Sequence, residues 1–454
     1  MRRNEPFSSG AYKLAYQRPK PECRTFNSTG VEAAISRLQD EIYDPDLFRL
    51  FENTFPNTLD TAVKWRGVAA NNSDEELAFL ITGDINAMWL RDSANQIAPY
   101  KTVLESKGDE IASVFRGAIN LQARYLIISP YCNAFHPPPE SGMKPNVNGA
   151  IYAVTPAYDK QIVFTCNFEL DDFGGFLQLS HDYHAKTGDV DFFGRFQWVN
   201  AIQSILAASE AMRRPTYADD GTWNPPPYTF QSQTMSAAGT LGNNGIGNPV
   251  NYTGMVRSPF RPSDDAALFE FQIPANMMLA QYLDSTSDIM EQLSHPSAAE
   301  LTQEMRDVAA GIRDAIAQWG VVTAPSGEKI FAYEVDGFGG RNLMDDANVP
   351  SLLSAPMLNG YVSRNDSTYQ ATRRFVLSRA NPWWCAGPVI SAVGSPHIKP
   401  GAAWPMASIV RALTSDSDAE IVTALRELVS STDGLGLIHE SVSSVDAHQW
   451  TRQW

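Results

Sequence analysis

The chain has 454 residues, of which 43% are hydrophobic, and carries a formal net charge of -16. That length and apolar content support a large core, and an all-helical barrel of this size can be one domain. The acidic balance argues against nucleic acid and anionic membrane as partners, because phosphate binding needs basic surface.

Helical periodicity dominates from the N-terminus on. Apolar residues recur at three- and four-residue steps over Val31 to Phe51, Asp109 to Ile128, Asp171 to Thr187 and Asp191 to Met212. The same spacing returns over Ala275 to Leu283, Ala298 to Trp319, Trp404 to Leu413 and Asp418 to Val429. Shorter candidates lie at Ser93 to Leu104, Val349 to Leu358 and Ser367 to Arg379. The pattern predicts about eleven helices and few alternating strands. Between them run segments rich in Pro, Gly, Asn and aromatics, at Pro130 to Ala157, Pro215 to Asp264 and Asn381 to Pro405. Long loops inside a compact domain are usually functional. A toroid of helix pairs around a central pocket fits this better than two bundles joined near 215–260, because the pattern persists on both sides of that loop. Residues 1–30 are expected as an N-terminal extension and 31–454 as one domain.

No stretch is apolar and long enough to span a membrane, and Met1-Arg2-Arg3-Asn4-Glu5 has no hydrophobic signal core. Four Asn-x-Ser/Thr sequons, at Asn27, Asn71, Asn251 and Asn365, favour a secretory route. Cys23, Cys132, Cys166 and Cys385 are too widely spaced for a zinc or redox motif. A Cys132–Cys166 disulfide is one possibility; free buried thiols are the other.

The segment Thr82-Gly83-Asp84-Ile85-Asn86-Ala87-Met88-Trp89-Leu90-Arg91-Asp92-Ser93 sets an Arg-Asp pair beside a Trp in an apolar run. Buried charges need partners. Two readings fit: a structural ion pair under a core Trp, or an aromatic wall and a charged fork that grip a sugar ring and its hydroxyls. Further carboxylates cluster in the loops: Asp171 and Asp172, Asp264 and Asp265, Asp336, Asp345 and Asp346, and Glu440 beside His439. Helix capping explains a single Asp well and a doublet poorly. Adjacent carboxylates repel, which is one way a general acid is kept protonated near neutral pH. No His-Glu-x-x-His, Gly-x-Ser-x-Gly or P-loop motif occurs. Two-carboxylate glycoside hydrolysis is the chemistry left standing.

Five segments, in order, are similar to glycoside hydrolase family 125. They are Thr82 to Tyr100; Arg261-Pro262-Ser263-Asp264-Asp265 to Asn276; Tyr333 to Gly339 with Asp345 to Pro350; Gly394-Ser395-Pro396-His397 to Trp404-Pro405; and His439-Glu440-Ser441. The resemblance runs from about Phe51 to the C-terminus. It implies an (α/α)6 barrel and metal-independent, cofactor-free removal of a terminal α-1,6-mannose with inversion. It implies an acid in the doublet, Asp264 before Asp265, and Glu440 as base. By analogy with glucoamylase-type barrels, Arg91 and Asp92 grip the sugar. Asp84, Trp89, Trp383, Trp384, Trp404, His397, His439, Asp345 and Asp346 are expected around it. The expected partner is an α-mannoside oligosaccharide or N-glycan, and the chain is expected to be a monomer. Family members continue past Trp454 into a further helix, so the last barrel helix is expected to be missing. Two rivals remain: a Ca²⁺-dependent α-1,2-mannosidase holding its ion with Asp336, Asp345 and Asp346, and a mannoside-binding protein without turnover.

Overall fold

A computed structural model describes residues 3–453. Helix accounts for 41% of the chain and strand for 15%. Among the described residues, eleven α-helices reach eight residues. They are α1 (Thr29–Glu41), α2 (Pro45–Thr54), α3 (Leu90–Ile97), α4 (Ala112–Ile128), α5 (Leu170–Thr187), α6 (Trp198–Met212), α7 (Ile273–Glu291), α8 (Ala298–Ala315), α9 (Ser367–Val376), α10 (Pro405–Leu413) and α11 (Asp418–Ser430). The chain divides into two compact units. One comprises the N-terminal segment through Ala62, Thr323–Ile330 and the chain from Leu343 on. The other comprises Val63–Val322 and Phe331–Asn342.

In the larger unit an antiparallel hairpin, Val63–Ala69 with Asn72–Leu80, packs on α4. Helix α4 packs on α6, and α5 lies between α3 and α7. Phe115, Phe135, Phe168, Phe173, Tyr183, Trp198 and Tyr282 are buried in this core. Two adjacent glycines let α5 approach both neighbours. A Cβ on Gly174 would meet Met278 Cγ at 2.7 Å, and one on Gly175 would meet the Arg91 Cα at 3.3 Å. Side chains there would push α5 off α7 and off the backbone that carries Arg91.

In the other unit α10 packs on α11, and α11 on α2. Leu14, Leu50, Leu428 and Val429 form one buried cluster there. The expected N-terminal extension is therefore packed into a core, and the Ala15 N–H donates to the Gly434 carbonyl at 3.1 Å. After α11 the chain forms a hairpin, His439–Ser443 with Asp446–Gln453.

Local chemistry moves several expected boundaries. The single helix expected over Val31 to Phe51 is two. The Asp44 side chain accepts the Asp46 and Leu47 N–H groups at 2.9 and 3.0 Å, and Pro45 opens α2. The helix expected over Asp191 to Met212 breaks at Gly194. Pro99 ends α3 at Ile97, and a 3₁₀ turn follows. The helix expected over Val349 to Leu358 does not form beyond the 3₁₀ turn Ala355–Met357. Two prolines interrupt it, and Asp345 takes the N–H groups of Leu352 and Leu353 at 2.9 and 3.0 Å. Strands are more numerous than expected, but most have two to four residues, too short to show a period.

Candidate active site

Three short strands set the floor of the site in the larger unit. Met88–Trp89 pairs with Ala134–Phe135, which pairs with Val163–Thr165. The sheet brings together segments far apart in sequence, and the Cys132–Cys166 disulfide joins two of them directly. Of the two sequence-level possibilities for these cysteines, the bonded one holds; Cys23 and Cys385 are free.

Each bridged cysteine is followed by an asparagine. The Asn133 amide donates to Asp264 Oδ1 at 3.0 Å and to Glu169 Oε1 at 2.9 Å. The Asn167 amide donates to the Asp264 carbonyl at 3.4 Å. The Asn133 Oδ1 accepts from Thr165 Oγ1 and from the Asn167 N–H, which fixes the amide's orientation. The Trp89 indole N–H also donates to Asp264 Oδ1, at 3.1 Å. Two donors thus hold one oxygen of Asp264, while its Oδ2 makes no hydrogen bond among the described residues. Asp264 has φ 63, in the left-handed region, a conformation Asp tolerates better than most residues. That turn separates the doublet: Asp264 faces Trp89 and is partly exposed, whereas Asp265 is buried and accepts from Ser263 Oγ at 2.9 Å. The mutual repulsion expected of the two side chains gives way to different partners.

Arg91 is buried and collects carboxylates. It pairs with Glu169, with Asp171 at 3.3 Å and with Asp92 at 3.0 Å. Its backbone N–H donates to Asp172 at 3.0 Å. Burial alone would lower the guanidinium's pKa, but Glu169, Asp92, Asp171 and Asp264 raise it, so it stays charged. The carboxyls respond in the opposite sense. Burial pushes Glu169 and Asp172 well above the usual carboxylate range, and Asp171 up to about 6. Asp92 also shifts upward, first through burial, then through the Asp264 charge working against Arg91. Burial therefore favours the protonated forms of the carboxyls next to Asp264. Asn133 and Glu169 were missed in the sequence. The repeated Cys-Asn step was the signal for Asn133; Glu169 had none nearby.

Of the remaining expected residues in this unit, Trp89 is buried against Ala87 and Ala134, with Phe164 edge-on at 5.6 Å. Asp84 lies exposed in the loop between Leu80 and Met88.

The other unit carries Glu440, buried on the C-terminal hairpin. Thr451 Oγ1 donates to Glu440 Oε2 at 3.0 Å, and the Arg452 guanidinium lies 3.7 Å from Oε1. The Thr451 hydroxyl has one proton, so at 2.8 Å from Ser441 Oγ it accepts. His439 stacks on Trp450, ring centroids 4.2 Å apart, and its Nδ1 faces the Arg452 carbonyl. Burial lowers its pKa. Trp383 and Trp384 are partly buried against a cluster containing buried Trp404, whose Nε1 has no partner among the described residues. His397 lies edge-on to Trp404 at 6.4 Å. Asp346 Oδ1 accepts the Asn348 N–H and amide at 3.1 and 2.9 Å. Asp345 is fully buried on its two backbone donors, and burial pushes it up to about 7. Among the described residues no group of three or more His, Cys, Asp and Glu could hold a metal ion.

Residues 44–454 match the sequence profile of glycoside hydrolase family 125, described as metal-independent α-mannosidases. The chain belongs to family 125. Its family-125 relatives include a solved Streptococcus pneumoniae metal-independent α-mannosidase in a non-productive complex with α-1,6-mannobiose. That structure is 31% identical, with 95% of each chain covered and a TM-score of 0.83. The meiotically up-regulated gene 157 protein of Schizosaccharomyces pombe is 44% identical, covering 100% of this chain and 88% of that one. A bacterial glucoamylase bound to acarbose is 10% identical, covers 94% of this chain and 54% of its own, and has a TM-score of 0.52. That likeness bears on fold alone. It agrees with the (α/α)6 class that the family resemblance implies.

Proposed function

We propose that this family-125 glycoside hydrolase is an exo-acting α-1,6-mannosidase that removes a non-reducing terminal mannose with inversion. The observation that carries the reading is the whole-length likeness to the S. pneumoniae α-mannosidase that holds α-1,6-mannobiose, joined to a carboxylate built for acid work. Asp264 Oδ1 is held by Trp89 and Asn133. Oδ2 is then the oxygen that carries the proton to the glycosidic oxygen. Asp265, buried on Ser263, is the weaker candidate. Glu440, with the Thr451 hydroxyl on one oxygen and a guanidinium beside the other, takes the proton of the attacking water. The water oxygen bonds to the anomeric carbon as the glycosidic C–O bond breaks, and the leaving oxygen departs with the acid's proton. Arg91 and Asp92 offer a donor and an acceptor for mannose hydroxyls, and Trp89 an apolar wall. We infer an α-1,6-linked arm of an N-glycan as the natural substrate class. The sequons and the Cys132–Cys166 disulfide support a secretory route.

A Ca²⁺-dependent α-1,2-mannosidase is not favoured, since the family is metal-independent. The test is incubation with α-1,6-, α-1,2- and α-1,3-mannobiose in EDTA, followed by proton NMR. Cleavage of the α-1,6 isomer with β-mannose formed first is the expected result. An α-anomer would overturn inversion, and loss of turnover in EDTA would overturn metal independence.

A further inference from the structure

Asn251 opens the triplet Asn251-Tyr252-Thr253, and it is held in place from three sides. Its N–H donates to the Asp336 carbonyl at 2.9 Å, and its amide donates to the Gly337 carbonyl at 3.4 Å. Its Oδ1 accepts the Tyr252 N–H at 2.9 Å. Gly337 has φ 77, and a Cβ there would come within 3.0 Å of the Asn251 Cβ. The side chain is nevertheless exposed.

Four exposed aromatic residues lie on the backbone segments linked to Asn251. Tyr252 is the next residue, and Phe338 follows Gly337. On the other side Thr216 and Val250 are joined by the Thr216 N–H to the Val250 carbonyl at 2.9 Å, which brings Tyr217 alongside. Tyr217 forms a β-bridge with Trp223. All four rings are close to half exposed. Soluble proteins rarely leave such a group of large apolar side chains open without use. A ligand whose rings have apolar CH faces and a hydroxylated rim matches it. Asn251 lies on the same linked backbone segments, with an acceptor amide for a covalent one.

We propose that Asn251 carries an N-linked glycan whose first sugars lie over Tyr217, Trp223, Tyr252 and Phe338. This rests on the secretory-route reading and not on the catalytic one. In the transfer, the bond between Nδ2 and the sugar C1 forms. The bond between C1 and the diphosphate oxygen of a polyprenyl-diphosphate oligosaccharide breaks, and one amide proton leaves with the diphosphate. The second N–H remains on Nδ2. The other sequons lie on a hairpin turn (Asn71) and just before α1 and α9 (Asn27 and Asn365).

The test uses the full chain secreted from a eukaryotic host. Glycopeptide mass spectrometry is expected to find Asn251 occupied in most molecules, with the glycan absent in N251Q and retained in T253S. Hydroxyl-radical footprinting is expected to show Trp223, Tyr252 and Phe338 at least twofold more reactive in N251Q and in amidase-deglycosylated wild type. A bare Asn251 beside an occupied Asn27 or Asn71 overturns the acceptor assignment and leaves the secretory route standing. An occupied Asn251 with unchanged footprints overturns the sugar-on-aromatic packing. No occupancy at any sequon, with Cys132 and Cys166 reduced in protein from its own cells, overturns the secretory route itself.

Discussion

Trp89→Phe isolates the hydrogen bond that aims the proposed acid. The ring keeps an aromatic wall against Phe164, and what disappears is one N–H, 3.1 Å from Asp264 Oδ1. A hydrogen bond to a charged acceptor contributes about 1.5–3 kcal/mol. If that is expressed fully in the transition state, kcat falls roughly 10- to 150-fold. Asn133→Ala removes the second donor to the same oxygen, at 3.0 Å, and also the Glu169 contact at 2.9 Å. It should cost at least as much in kcat, and stability besides. Because both donors serve one oxygen, the double variant should lose less than the product of the single losses. The assay is kcat and KM on α-1,6-mannobiose, with thermal unfolding as the control for folding. A W89F enzyme within twofold of wild-type kcat refutes the aiming role, and strictly multiplicative losses refute the shared oxygen.

The remaining predictions concern the base, the disulfide and pH. Glu440→Gln should lower kcat about 10²- to 10⁴-fold, the range of lost general-base catalysis, while calorimetry shows mannose affinity nearly unchanged; turnover close to wild type would remove Glu440 from the mechanism. Replacing Cys132 and Cys166 together by Ser should lower Tm and, at temperatures where the variant is folded, also kcat, because Asn133 and Asn167 lose their tether; a change in Tm alone would confine the disulfide to stability. Asp345 is held at about 7 by burial, with Asp346 adding to the shift, so the folded state binds its proton more tightly than the unfolded chain, where the ordinary value is 3.8. Its contribution to stability is complete below that value and is lost as pH rises through about 7. Denaturant midpoints should therefore fall from pH 5 to pH 8 and fall less steeply in D345N; an identical slope in the two proteins would exclude Asp345 as the source.

The long helices were legible because their apolar spacing repeats over several turns, as in α4, α5 and α8. Their ends were less so. Asp44 and Pro45 spell a helix start in the middle of an uninterrupted apolar period, and only capping chemistry reveals the break. The two-residue strands that position Trp89 and Ala134 have no period to read. At the site, Arg91-Asp92 stood out as charge in an apolar run. Glu169 did not, because its meaning lies in a partner 78 residues earlier. The Asp264-Asp265 doublet was visible, but the left-handed turn that sends its side chains apart was not, since nothing local forces an Asp to take positive φ. The C-terminal segment shows a limit of a different kind. Glu440 stood out beside His439, but the hairpin that carries it, whose second strand supplies Thr451 and Arg452, leaves no trace in the helical pattern.

The carboxylates around Arg91 explain how a metal-independent family can handle a neutral sugar in so acidic a site. Glu169, Asp171, Asp172, Asp92 and Asp264 surround one guanidinium. Fully ionised, they would repel strongly at low dielectric, and clustered oxygens of this kind commonly recruit a hard cation. Here Arg91 supplies one fixed positive charge, and burial favours the protonated forms of Glu169, Asp172, Asp171 and Asp92. Among the described residues, Asp171 Oδ1 is buried without a hydrogen-bond partner. Asp264 then stands at the edge of a hydrogen-bonded network, with one oxygen fixed by Trp89 and Asn133 and the other open. On the proposal that Asp264 is the acid, transfer at Oδ2 leaves its charge beside carboxyls whose protonated forms burial favours.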